Sequence, residues 1–219
     1  SGISGKRKGT VTCGGDLHAK YIDYASAKCN GDLIVDVEVI DSQVEALGSV
    51  LVKQKGIIGG RLIVAQTLEC PNLGSDAGTP TLVIAGYDGQ KASRLDELSK
   101  QVQKLSEKAK GLANRLEVLE KVKDRLPANK LEFLDDLARE HAATEEELER
   151  VKTEARELSD ETKNLLANAS IKVKEMAYQG LLVEMGGTKK RFFEAMEGPF
   201  EMKFDVAKKR ILLLSERKQ

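Results

Sequence analysis

Val11-Thr-Cys-Gly-Gly-Asp-Leu17, Ala27-Lys-Cys-Asn-Gly-Asp-Leu33 and Val44-Glu-Ala-Leu-Gly-Ser-Val50 are three versions of one pattern. Each runs apolar, polar, small, then a Gly-Asp or Gly-Ser turn, then an apolar residue that opens an alternation such as Leu33, Val35, Val37 and Val39. The glycines at 15, 31 and 48 are spaced by 16 and then 17 residues. Alternation with period two turns one side of each strand inward, and glycine opens the corner between strands. A period under about 20 residues is too short for a βαβ unit or a propeller blade. It fits one coil of a β-solenoid.

Stacking the units places Cys13, Cys29 and Ala46 in one inward ladder of small residues about 4.8 Å apart. The cysteines lack a Cys-x-x-Cys spacing or a basic neighbour in register, so packing is the expected role rather than redox or thiolate chemistry. Asp16 and Asp32 share a register, but Ser49 follows in the third unit and no calcium-repeat pattern is present, which predicts solvated turn residues. Gly56-Ile-Ile-Gly-Gly60 has the glycines of a phosphate loop without its Gly-Lys-Ser/Thr ending, and Leu62-Ile-Val-Ala65 continues as strand. A tight corner is expected there.

The composition agrees with a stack of small and branched side chains. Hydrophobic residues make up 41%, aromatics only 4%, and tryptophan is absent. Lys plus Arg equals Asp plus Glu at 35 each, so net charge points to neither nucleic acid nor an anionic membrane. The basic clusters Lys6-Arg7-Lys8 and Lys189-Lys190-Arg191 read as solvated surface. No apolar run reaches the roughly 18–20 residues of a membrane span, and no signal peptide is visible. Three cysteines without metal spacing suit a reducing cytoplasm. A chain that opens Ser-Gly, inside a repeat, reads as a piece of a longer protein with a possible cloning remnant in front.

The repeat is interrupted. Of 19 glycines, 14 precede residue 92 and only Gly111 lies between 92 and 168, which separates a β segment (1–91) from a helical one (92–168) and a returning β segment (169–219). Leu95, Leu98, Val102, Leu105, Ala109, Leu112, Leu116 and Leu119 recur in steps of three and four, a heptad seam. A second seam holds Leu134, Leu137, His141, Thr144, Leu148, Val151, Ala155, Leu158, Thr162 and Leu165. Pro127 can end one helix or open the next, Ala128-Asn129 can complete a turn, and Thr144-Glu-Glu-Glu can restart a helix as an N-cap. Residues 92–126 carry nine Lys/Arg and six Asp/Glu, and residues 127–168 six and twelve, so the halves attract as an antiparallel hairpin. Folding about Ala128 would set Leu105 opposite Val151. His141 on the seam reads as a packed polar residue. Beyond it, Ile171-Lys-Val-Lys, Gly180-Leu-Leu-Val and Phe200-Glu-Met-Lys-Phe read as strands that extend or cap the same β body.

Lys55-Gly-Ile-Ile-Gly-Gly-Arg61, Leu73-Gly-Ser-Asp-Ala-Gly-Thr-Pro-Thr81 and Val83-Ile-Ala-Gly-Tyr-Asp88, followed directly by a coiled coil, resemble the flagellar assembly protein A family. Leu126-Pro127 with Lys130, and Tyr178-Gln-Gly180, extend the likeness, with Gln179 standing where the family typically has proline. The motif residues are Gly56, Gly59, Gly60, Gly74, Gly78, Thr79 and Pro80, and the seam residues to watch are Leu105, Leu112, Leu116, Leu148, Val151 and Leu158. The resemblance implies a mainly β protein: a right-handed β-helix interrupted by a long antiparallel coiled-coil hairpin, related in architecture to the C-terminal domain of the division inhibitor MinC and to bactofilins. It implies a bacterial cytoplasmic scaffold or regulator of flagellar assembly, recruited to the cell pole or flagellar base. Protein partners are expected, among them flagellar or polar-localisation proteins and a glucose phosphotransferase component in some lineages. Self-association through β-helix ends or the coiled coil, as in a bactofilin-like polymer or a MinC-like positioning element, is the alternative. The family has no catalytic motif, so no catalytic, metal or cofactor residue is assigned. An enzyme on a solenoid would need clustered acids and bases, and the two histidines lie in unrelated contexts.

Overall fold

The computed structural model describes residues 1–6, 8–123 and 127–215. The β body is a solenoid of about five turns with three strand faces. On the first face lie β2 (Thr10–Cys13), β5 (Ser26–Cys29), the second half of β7 (Glu38–Ala46), the second half of β9 (Gly56–Val64), β11 (Thr81–Ala85) and β13 (Leu181–Met185). The second face stacks β3 (Leu17–Ala19), β6 (Leu33–Val35), β8 (Val50–Val52) and the first halves of β10 (Thr67–Leu73) and β12 (Ser170–Ala177). The third face starts with β1 (Ile3–Ser4) and β4 (Ile22–Asp23) and continues through the first halves of β7 and β9 and the second halves of β10 and β12. Every one of these pairings is parallel.

The alternating residues build the core. Cys13, Cys29, Ala46, Val64, Ala85 and Met185 form one continuous ladder, so the two cysteines do sit in register with Ala46. Leu17, Leu33, Val50, Leu68 and Ile171 form the ladder on the second face, and Ile22, Val39, Ile57, Leu73 and Ala177 that on the third. Each fully buried Leu, Ile or Val contributes about 1.5–3 kcal/mol. Burial pushes the Cys29 thiol up to about 11, with Cys13 and Asp16 adding to the effect, and burial raises the Cys70 thiol as well. In the folded chain a water-soluble thiol reagent should therefore titrate Cys13 alone, and all three thiols should react after denaturation. A fast phase that survives Cys13→Ser would show the ladder to be looser than this packing.

Asp16 and Asp32 do more than face solvent. Asp16 Oδ1 accepts the Asp32 amide at 2.8 Å, and Asp32 Oδ1 accepts the Ser49 amide at 2.7 Å, so each carboxylate staples its corner to the next coil. A Cβ on Gly31 or Gly48 would lie 2.1 or 2.2 Å from that carboxylate oxygen, so these glycines are needed for close approach.

The fifth pass breaks the rule for corners between the first and second faces. Three residues make this corner after Cys13, Cys29, Ala46 and Val64; after Ala85 the strand on the second face resumes only at Ile171. The chain leaves as Gly86 donates to Val64 O at 3.0 Å, at the strand end before the corner below, and returns as Ser170 donates to Gln66 O at 3.3 Å on that corner. Between them run α1 (Gly89–Glu120) and α2 (Ala128–Asn168). Two compact units result: residues 1–88 with 162–219, and residues 89–161. The last two turns of α2, from Thr162, belong to the first unit, where Leu166 packs on the solenoid core.

Within the helical unit Lys91 pairs with Glu161 at 2.6 Å, Arg94 with Glu154 at 2.6 Å and Lys108 with Glu140 at 2.8 Å, so the helices run antiparallel. These exposed pairs fix register more than stability. Leu105, three residues before Lys108, is thus level with Ala143 and Thr144, and Val151, three before Glu154, with Glu97 and Leu98. The expected Leu105–Val151 pairing is corrected by two helical turns. Its cause lies at Pro127, which opens α2: its carbonyl accepts the Lys130 amide at 2.8 Å, and Ala128 and Asn129 belong to the first helical turn rather than to a loop. The helix also does not restart at Thr144, whose hydroxyl bonds back to Glu140 O at 2.8 Å. Leu126 lies outside the described residues.

After β13 the chain reverses at Gly186 and Gly187, with φ of 56° and 78°. It then winds backwards over the end of the solenoid. β14 (Thr188–Arg191) pairs antiparallel with β13, β15 (Met196–Glu197) with the second half of β12, and β16 (Phe200–Asp205) with its first half. The faces are visited in the order first, third, second. β17 (Arg210–Ser215) then pairs antiparallel with β16. Phe192, Met202, Phe200 and Phe204 are buried here, with the rings of Phe192 and Phe200 stacked at 6.5 Å. The coils themselves close with aliphatic side chains; this end closes with aromatic ones.

Candidate interaction sites on the solenoid corner and the helical hairpin

The corner between the third and first faces is the most constrained backbone in the solenoid. Lys6, Tyr24, Asp41, Gly59 and Gly180 all have positive φ between 39° and 84°. At two levels a buried hydroxyl completes the corner. Ser42 Oγ accepts the Ala25 amide at 3.1 Å and donates to Ile40 O at 2.6 Å. Thr81 Oγ1 accepts the Gly59 amide at 2.9 Å and donates to Thr79 O at 3.0 Å. An unpartnered buried amide would cost about 1–3 kcal/mol, so these hydroxyls stabilise the bend. Neither was among the candidate residues. Their signal was a hydroxyl at an inward, otherwise apolar position of the alternation.

Most of the glycine-rich motif gathers at this corner, and Gly56 lies at the opposite end of the third-face strand. Gly59 and Gly60 turn β9 beside Asp41 and Ser42, and Gly56 lies against the Asn72 carbonyl. The following coil expands into the loop 74–80. Gly74 has a φ of 83°, the hydroxyls of Ser75 and Thr79 meet at 2.8 Å, and Gly78 donates to Ser75 O at 2.9 Å. Pro80 is exposed beside the buried Thr81. The next corner, Tyr178-Gln179-Gly180, packs on this loop: Gln179 Nε2 donates to Asp76 O at 3.3 Å, and a Cβ on Gly180 would sit 2.6 Å from Gly78 O. The motif residues therefore hold backbone against backbone.

On the outer surfaces, charged residues join adjacent coils. Lys28 meets Glu45 at 3.0 Å, Lys55 meets Glu38 at 3.1 Å and Lys174 meets Glu69 at 2.7 Å. Asp36 lies between Lys53 and His18, which hold its carboxyl down at about 2. The second histidine, His141, lies 3.6 Å from Glu145 on α2. Among the described residues, no group of three or more His, Cys, Asp or Glu is placed to hold a metal ion.

The helical unit presents a different kind of surface. Leu98, Ala109, Leu112, Leu134, Leu137, Leu148 and Val151 are buried, while Leu105, Leu116 and Leu158 are half-buried on the same faces. Among the described residues of this unit, the exposed large apolar side chains are Val118, Val122 and Phe133, all next to the turn between the helices. The Arg115 guanidinium lies 5.9 Å from the Phe133 ring centroid. These three fall off the heptad seam, and no such side chain occurs along the shaft.

A family model described as the Flagellar Assembly Protein A beta solenoid domain matches residues 1–209. The chain belongs to this family. For a flagellar assembly protein A solenoid domain, the matched span covers every coil and the helical insertion, and it carries a role in flagellar assembly. No curated protein and no solved structure matches the chain. Among the described residues, no helix is long and apolar enough to cross a membrane.

Proposed function

We propose that this flagellar assembly protein A domain works without catalysis, as a scaffold or regulator that engages a protein partner through the turn end of its helical hairpin. The observation that carries the reading is the confinement of Val118, Val122 and Phe133 to that end. A hairpin that only needed solvation would place charge there, as it does along the shaft. A few exposed aromatic and aliphatic anchors are what a partner surface uses as its energetic centre. We take the helical pair to be a coiled coil with Leu105, Leu112, Leu116, Leu148, Val151 and Leu158 on its seam, because steps of three and four persist through both helices. Gly56, Gly59, Gly60, Gly74, Gly78, Thr79 and Pro80 serve as the rigid support. The partner is a flagellar or polar-localisation protein, or a glucose phosphotransferase component, met on the cytoplasmic side of the cell pole or flagellar base.

The test is capture from a flagellated bacterium with the intact chain and with the triple variant Val118→Ser, Val122→Ser, Phe133→Ser. The variant should keep its helical circular dichroism, since none of the three is on the seam, and should lose the captured flagellar partner by at least about tenfold, the effect of a hot-spot loss above 1.4 kcal/mol. Equal capture by both chains would remove the hairpin end from the interface.

A further inference from the structure

The even overall charge hides an uneven local one. Lys189-Lys190-Arg191 and Lys208-Lys209-Arg210 are two short tripeptides in the sequence. The reversed coil brings them together, because the Thr188 hydroxyl donates to Lys209 O at 3.0 Å. Elsewhere on the solenoid, Lys28, Lys53, Lys55 and Lys174 each meet a carboxylate of an adjacent coil. Lys20, Arg61 and Lys172 are single exposed cations without such a partner among the described residues, and here several come together. Lys189 reaches Glu184 only at 3.6 Å, and the Lys190 ammonium lies 5.7 Å from the Phe192 ring. Among the described residues, Arg191, Lys208, Lys209 and Arg210 are exposed and have no ion-pair partner. Two acidic groups of the same segment are otherwise engaged: Asp205 Oδ1 accepts the Lys208 amide, and Glu201 meets Lys203 at 3.2 Å.

The same coil exposes bulky apolar groups. Phe193 is 79% exposed, directly after Phe192, which fills the core, and Val206 is 41% exposed in the turn that carries Lys208 and Lys209. Packing explains neither. We propose that this end of the solenoid docks on an anionic phospholipid surface, with Arg191, Lys208, Lys209 and Arg210 meeting headgroup phosphates and Phe193 and Val206 entering the interface. A protein partner would call for an apolar centre depleted of charge, whereas Val206 shares its turn with Lys208 and Lys209 and Phe193 lies two residues from Arg191. A second copy of the same end would bring like charges together. A bilayer interface accepts both features at once, because isolated apolar side chains enter between headgroups while cations remain at their level.

The test is flotation of the full chain with phosphatidylcholine vesicles, with and without a large fraction of phosphatidylglycerol. The proposal requires binding to the anionic vesicles, little to the neutral ones, and loss of binding as salt rises. Each cation removed should weaken binding about fivefold, so Arg191→Glu with Lys208→Glu and Lys209→Glu should lose at least about a hundredfold. Phe193→Ser should weaken binding at all salt concentrations, and circular dichroism verifies that both variants are folded. Equal partition into neutral and anionic vesicles, or undiminished binding of the triple variant, overturns the proposal. So does a chain that ignores both vesicles and binds duplex DNA or an acidic protein instead. The hairpin end is intact in these variants, so capture of the protein partner is read independently.

Discussion

A chain in which residues 86–170 are replaced by the three-residue corner Leu-Gly-Ser should fold, keep a cooperative β-type melting transition and lose its helical circular dichroism entirely. The corner after Ala46 already uses those residues between the same two faces, and Gly86 and Ser170 hydrogen-bond to Val64 and Gln66, just before and within one corner, so the short connection spans the same gap. What the deletion removes from the solenoid is small. Ala169 and Ser170 are buried at the corner, and Leu166 is half-buried against the core. Losing a half-buried leucine costs about 2 kcal/mol, which lowers Tm by about 5–10 °C in a domain of this size. Capture of the flagellar partner should vanish with the hairpin. A product that aggregates, or melts without cooperativity, would show that the helices are needed to fold the coils.

Gly60→Ala should destabilise the chain by about 3–4 kcal/mol, a large share of the 5–15 kcal/mol that holds a typical domain folded. Gly60 has a φ of 77°, and an added Cβ would lie 2.2 Å from Ser42 O and 2.6 Å from Ser42 N. Both atoms are backbone of the neighbouring coil, locked in the parallel ladder, so neither can give way. Gly187→Ala is the control. Its φ of 78° carries the same left-handed penalty of about 1–2 kcal/mol, yet nothing lies within 4 Å of the added carbon. Urea denaturation of the two variants separates conformational strain from collision. Equal midpoints would mean that the coils are not held as closely as the structure places them.

Much of the solenoid could be read before its coordinates. The glycines at 15, 31 and 48 mark equivalent corners, and Cys13, Cys29 and Ala46, each two residues before one of them, fall in one ladder. The next corner, Ala65-Gln66-Thr67, has no glycine, so the repeat disappears from the sequence while continuing in space. Asp16 and Asp32 looked like surface because their partners are amides of the next coil, which a linear reading does not bring near. The corner with Ser42 and Thr81 was hidden for the same reason. In the helical segment, two helices were legible from spacing alone, but their relative register depended on where the chain turns, and Pro127 opens α2 earlier than a symmetric loop about Ala128 would require. Val118, Val122 and Phe133 were legible as apolar residues off the seam; only the antiparallel pairing shows that they share one end.

The backward winding of the last coil bears on assembly. A solenoid grows by offering each new coil a parallel ladder in the same order of faces. Here β14, β15 and β16 run the opposite way and in the opposite order, so the first coil of another copy finds no ladder to continue. Parallel stacking of coils therefore ends at this face, at the level of backbone direction.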